Sequence, residues 1–248
     1  MPTLYNGWFW TGEVRDQMLK AVGQALADGL TRMEVNFPPV PNLEEVDFGT
    51  ALNQQFAIEI RDVLGMEDQK YKIEVRRSLI DFANLYWSRA LAAVAGGQPV
   101  YVQYCDQTSK KNANSPGENV WIGRLETIPR TLTERQELSI VVNPGDVSQW
   151  KKALSYSGPS SPLIFLNRES FAQRDGSTKG VEQVYYLKRI SKGWVFRQYP
   201  GPWQALVEKP DGTVECVATY NKRPLLREVS KVVREYSFQQ FSIFNDRY

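Results

Sequence analysis

Histidine is absent from the whole 248-residue chain. That one absence removes Ser-His-Asp and Cys-His nucleophilic sites, imidazole general bases and histidine-ligated metals. Cysteine is nearly absent: Cys105 and Cys216 stand far apart, each inside a predicted strand, and neither has a CxxC neighbour. A structural zinc site is therefore out of reach, and both thiols read as free and buried. No uncharged apolar run reaches about 18 residues, no Asn-x-Ser/Thr acceptor occurs, and no signal-type n-region and h-region is found. These absences fit a soluble protein of a reducing compartment. Neither charge sign dominates, since 30 Lys plus Arg face 28 Asp plus Glu for a net of +2. Such a balance gives no general reason to bind a polyanion, so nucleic acid is not expected as a partner. GxxxxGK[ST] and GxGxxG, the two ordinary nucleotide fingerprints, are both missing.

Against these exclusions stands one well-marked stretch, Leu138 to Asn167. Leu138, Ile140, Val141 and Val142 run together without polar alternation, which suits a strand covered on both faces, as in parallel sheets. Asn143-Pro144-Gly145 breaks the strand and Asp146 can cap a helix in which Val147, Trp150 and Leu154 form one stripe. Pro162 admits the next strand, Leu163 to Leu166. The stretch is a βαβ unit, and it sets the fold class as α/β.

Elements to either side extend the pattern. An aromatic cluster, with Trp8 and Trp10 in it, precedes a helix over Thr11 to Asp28 that Thr11 can cap and Gly29 can close. The cluster either docks on the domain as a staple or serves as a membrane-interface or partner anchor. Strand Arg32 to Phe37, a helix about Thr50 to Leu64 and a longer, well-buried helix over Arg76 to Ala95 follow. Strands over 99–105 and 120–126 flank a polar loop, Asp106 to Asn119. Past Ser170 the pattern becomes an antiparallel meander with strands over 184–190, 193–198, 205–209 and 213–220. Ser191-Lys192-Gly193 and Pro210-Asp211-Gly212 are its turn signals, and Tyr199 to Trp203 a stiff interruption. A terminal helix has Pro224 near its first turn and Val229, Val232, Val233 and Tyr236 along one face. The expected architecture is a mostly parallel sheet flanked by helices, with a C-terminal antiparallel meander and terminal helix. One domain spans 1–248, with the α/β body over 1–180 and the extension over 181–248.

Few residues offer chemistry. Asn143, Gly145 and Asp146 sit where a strand hands over to a helix, the place where open α/β sheets bind ligands and helix N-termini attract anions. Asp146 opposes an anion there by its charge, and Pro144 lacks an N–H, so a plain turn and cap is the competing reading. Carboxylate neighbours such as Glu44 with Glu45 and Glu134 with Glu137 lie in polar surroundings that do not raise a pKa. Trp194, Arg197, Tyr199 and Trp203 surround a proline-fixed turn; exposed, they make a rigid partner surface, and buried, they seal the meander. Charge is also uneven. Residues 1–68 carry 4 Lys plus Arg against 11 Asp plus Glu, a net of −7, which leaves +9 for the rest.

Two stretches carry a family resemblance: Ala27 to Pro39 (ADGLTRMEVNFPP), and Tyr185 to Val229, most specifically Gly193-Trp194-Val195-Phe196-Arg197, Tyr199-Pro200-Gly201-Pro202-Trp203 and Arg223-Pro224. They resemble the cyanobacterial and plastid domain-of-unknown-function family that includes the plant low photosystem II accumulation protein. The resemblance implies a stromal or cytoplasmic α/β protein that helps build or maintain a photosystem or antenna complex at the thylakoid surface. It carries over no catalytic residues, metal or cofactor. The expectation is thus a non-catalytic accessory factor acting by protein contacts, with peripheral membrane association open. The alternative is an enzyme or sensor of a phosphorylated small molecule at Asn143 to Asp146.

Overall fold

The apolar, β-branched runs form a parallel sheet because both of their faces find cover. In the computed structural model, which describes residues 12–39, 83–85, 87–104, 120–124, 138–145, 147–167 and 180–241, five strands carry it: β1 (Arg32–Asn36), β2 (Val100–Tyr104), β3 (Val120–Arg124), β4 (Leu138–Val142) and β5 (Leu163–Leu166). Their order is β3-β2-β4-β5-β1, and neighbours in that order pair in parallel. The register places Gln103, Val141, Phe165 and Glu34 in one row on one face of the sheet.

Helix α2 (Val147–Tyr156) joins β4 to β5 as the βαβ pattern predicts and covers that face. Trp150 stacks on Phe165 with ring centroids 3.8 Å apart, among Val141, Ala153 and Leu163. The other face carries Met33, Val35 and Phe37. Phe37 meets Trp87 edge-on at 4.9 Å, so the helical residues 87–92 cover this side. A 3-10 turn, Ala93–Ala95, then closes on Gly96 in the left-handed region.

The C-terminal meander is antiparallel, in the order β6 (Glu182–Ile190), β7 (Gly193–Gln198), β8 (Trp203–Glu208) and β9 (Val214–Tyr220). Helix α3 (Leu226–Phe241) buries Val229 and Val233 on the face that carries Val195, Trp203, Ala205 and Val207. Helix α1 (Glu13–Ala27) meets β7, and Tyr185, on the opposite face to Tyr186, donates its hydroxyl to Gln17 at 3.1 Å. The fold is therefore α/β, with a parallel core, antiparallel C-terminal strands and a terminal helix. Contacts group the chain into two units, one within 29–182 and the other within 1–28 and 183–248, so α1 goes with the C-terminal strands.

Several expectations need correcting. Trp203 opens β8 and does not belong to the interruption before it, because Pro202 restricts only itself and its predecessor. Helix α1 begins after Gly12, which makes no side-chain cap bond; Gly29 does close it, at φ +80°. Cys216 is exposed, since β9 is the terminal strand of the meander and α3 covers only its other face. The helix expected over 50–64, the loop over 106–119, Trp8, Trp10, Cys105 and Asp146 lie outside the described residues.

Candidate functional site

At the carboxyl end of β4, Asn143 takes a positive φ of 47° and its N–H donates to Leu166 O at 2.8 Å. The Gly145 N–H, one of the groups expected to meet an anion, donates to Gln149 Oε1 at 2.7 Å. Both of these N–H groups are thus taken up by the protein itself, one by β5 and one by α2. Beside it, at the end of β5, buried Asn167 also has a positive φ. Its Nδ2 donates to Asn84 Oδ1 at 2.7 Å, and its Oδ1 accepts the Phe37 N–H at 2.9 Å. Asn167 is therefore a clasp between β5, the end of β1 and the helical residues 83–85. These carboxyl ends are occupied by structural bonds, and among the described residues no group of three acidic or thiol side chains could hold a metal.

The antiparallel unit presents a different arrangement. Cross-strand register aligns Tyr186 with Arg197, Arg197 with Trp203 and Trp203 with Tyr220, so one row crosses all four strands. Directly opposed residues share a face, and the row therefore runs aromatic, cation, aromatic, aromatic. Arg197 Cζ lies 5.4 Å from the Trp203 ring centroid. Arg223, from the segment between β9 and α3, sits over the same row, 5.0 Å from the Tyr186 ring and 5.7 Å from Trp203. Trp203 thus has two guanidinium groups within cation-π range, and its ring meets Tyr186 at 5.1 Å.

Hydrogen bonds hold the cations in place. Arg223 donates to Gln183 Oε1 at 3.1 Å and to the Tyr186 hydroxyl at 3.4 Å, and Arg197 Nε donates to Gly201 O at 3.4 Å. The Tyr199–Pro200 bond is cis. Around it, Tyr199 N–H donates to Val184 O at 2.8 Å, Gly201 N–H to Gln198 O at 2.8 Å, and the Tyr199 hydroxyl to Asp28 Oδ2 at 3.0 Å. A planar guanidinium stacked on a ring and fixed by hydrogen bonds is well suited to carboxylates and aromatic side chains on a protein surface.

Of the residues expected to bind a partner, the structure joins Arg197, Tyr199 and Trp203 at this end of the meander and separates Trp194. Trp194 is 2% exposed and faces the opposite side, with Arg189 Cζ 5.7 Å from its ring. Trp203 is 3% exposed and forms the floor of the row, half-buried Arg197 and Arg223 supply its solvent edge, and half-buried Tyr199 is tied by its hydroxyl to Asp28. Sequence reasoning passes over Tyr186 and Tyr220. The signal was the two-residue turn at Ser191-Lys192: it pairs Ile190 with Gly193, and counting back gives Tyr186 opposite Arg197.

A family model described as "Domain of unknown function (DUF1995)" matches residues 12–231. Neither a curated protein nor a solved structure matches the chain.

Proposed function

The chain belongs to the family of the domain of unknown function DUF1995, and from that premise we propose that it is a non-catalytic accessory factor of a photosynthetic complex, docking a photosystem or antenna protein through the Arg197–Trp203–Arg223 row. One observation carries the reading. The short motifs that resemble the family of the low photosystem II accumulation protein, Gly193 to Arg197, Tyr199 to Trp203 and Arg223-Pro224, contribute three members of this row, Arg197, Trp203 and Arg223. Stacked arginine and aromatic groups are the residue types that dominate protein interfaces. Their fixed geometry lowers the entropy lost when a partner binds. The alternative, a phosphorylated small molecule at Asn143 to Asp146, is opposed by the Gly145–Gln149 bond, which a ligand must first break.

Affinity purification from thylakoid-containing cells tests the reading. The wild-type chain is expected to retain a photosystem or antenna subunit. Arg197→Ala with Arg223→Ala should reduce that retention about tenfold or more while the thermal midpoint stays within a few degrees of wild type. Absence of any such subunit, or equal retention by the double variant, contradicts the proposal.

A further inference from the structure

Helix α3 has a second face besides the one that Val229 and Val233 bury. Arg227, Lys231, Arg234, Phe238 and Phe241 follow one another at four, three, four and three residues, the spacing of a single helical stripe. All five are exposed, Phe238 at 63% and Phe241 at 36%. Cations fill the first part of this stripe and aromatic rings the end, over about 21 Å of helix.

The stripe borders a groove of about 700 Å³ between the carboxyl half of α3 and the β6–β7 turn, where Lys192 adds a fourth cation. The turn is fixed: Lys192 has a φ of 69°, and its carbonyl accepts the Glu208 N–H at 2.9 Å. One carboxylate, Glu235, lies in the groove, 3.8 Å from Lys231. Both partners are solvent-exposed, and an exposed pair of this kind holds the lysine only weakly.

We infer that this face of α3 docks on a membrane surface bearing anionic lipid. Lys192, Lys231 and Arg234 meet the headgroup phosphates, and Phe238 and Phe241 enter the edge of the acyl region. Charge complementarity sets the sign of the partner, since the stripe and the groove hold four cations against one carboxylate. The projecting rings decide its kind. They follow the cations along the same exposed stripe, Phe238 the more exposed of the two, which suits a surface with an apolar layer beneath a charged one. Among the described residues no helix is long and apolar enough to cross a membrane, so the contact is peripheral. The face uses none of the row residues Tyr186, Arg197, Trp203 and Arg223, so each proposal can fail without the other.

Flotation with vesicles of phosphatidylcholine alone, and with vesicles in which about a third of the lipid is phosphatidylglycerol, tests it. The full chain is expected to float with the second and not the first, and to be released by high salt. Lys231→Glu with Arg234→Glu should lower the partitioning roughly 25-fold or more, at about fivefold or more for each cation reversed. Phe238→Ser with Phe241→Ser should lower it by a similar factor through lost insertion. All four positions are exposed, so an unchanged unfolding midpoint is the control for folding. Binding that ignores lipid charge overturns the inference, as does binding that survives both pairs of substitutions, which would place the contact elsewhere, as at Trp8 and Trp10. Polyglutamate captured by the wild type and lost in the charge variant, with no vesicle bound, also overturns it and assigns the groove to an acidic protein segment.

Discussion

Gly193 sits at a close approach of β7 to β8 and α3. A Cβ there would stand 1.9 Å from Leu206 O and 2.9 Å from Val233 Cγ1. The nearer atom is backbone, so it cannot swing aside, and relief requires β8 or α3 to move. Gly193→Ala is expected to destabilise the chain by about 3 kcal/mol, at the upper end of overpacking, read as a lowered urea midpoint. Gly145 is the contrasting case, since its added Cβ would meet only Gln149 Oε1 at an ordinary 3.8 Å. Gly145→Ala should change stability by less than about 0.5 kcal/mol. Equal costs at the two positions would contradict this account of the helix contact.

Glu215 on β9 is a second instructive residue. It accepts the Tyr236 hydroxyl at 2.9 Å and pairs with Lys209 Nζ at 2.9 Å, and so links β9 to α3. The Lys209 hydrogen bond, then that of Tyr236, holds its carboxyl below the ordinary value of 4.5. A group whose folded pKa is depressed stabilises the fold above its unfolded pKa and loses that contribution as pH falls through the folded one. The advantage of wild type over Glu215→Gln should therefore be full above about pH 4.5 and vanish on further acidification. Chemical denaturation across that range measures it, and a pH-independent difference would contradict the assignment.

Among the elements, β1 is tied at both ends. At its start, Arg32 donates to the carbonyls of Thr31, Ser157, Gly158 and Ser161 at 2.6 to 3.1 Å, collecting the loop between α2 and β5. A cation there also suits the carboxyl end of α2. Burial pushes the guanidinium pKa down, but arginine stays charged at any ordinary pH. Arg32→Met should cost about 2–3 kcal/mol by stranding those carbonyls. Arg32→Lys should recover only part, because one ammonium cannot span four acceptors. A neutral Arg32→Met in guanidinium unfolding would remove the clasp from the account.

Much at this scale is legible in sequence, and the reason is local. The runs at Leu138 to Val142 and Leu163 to Leu166, with the Val147 and Trp150 stripe between them, state a covered parallel pair within thirty residues. Turn chemistry at Ser191-Lys192 and Asp211-Gly212 marks the hairpins in the same way. What escapes is non-local. Nothing near Glu13 to Ala27 says that α1 belongs with strands more than 150 residues later. Arg223 meets Trp203 only once four strands are in register. Asn167, in sequence only the end of the βαβ stretch, becomes a clasp because Asn84 and Phe37 arrive from distant segments.

Considered whole, the chain balances a parallel unit whose polar strand ends are spent on structure against an antiparallel unit with chemistry on its surface. The carboxyl ends of β4 and β5 bond to their own neighbours through Gly145 and Asn167. The antiparallel unit instead holds guanidinium groups against rings at one end and an exposed cationic and aromatic stripe along α3. This asymmetry is the ground for proposing function by adhesion, with the row proposed as the protein-facing surface. Photo-crosslinking in thylakoid-containing cells, with benzoylphenylalanine in place of half-buried Tyr199, two residues beyond Arg197 of the row, tests that claim most directly. Benzoylphenylalanine at Tyr156, an exposed tyrosine of α2 in the other unit, is the control. The account predicts that a photosystem or antenna subunit is captured at position 199 and not at 156. Capture of no such subunit at 199, or of the same proteins at both positions, would contradict it.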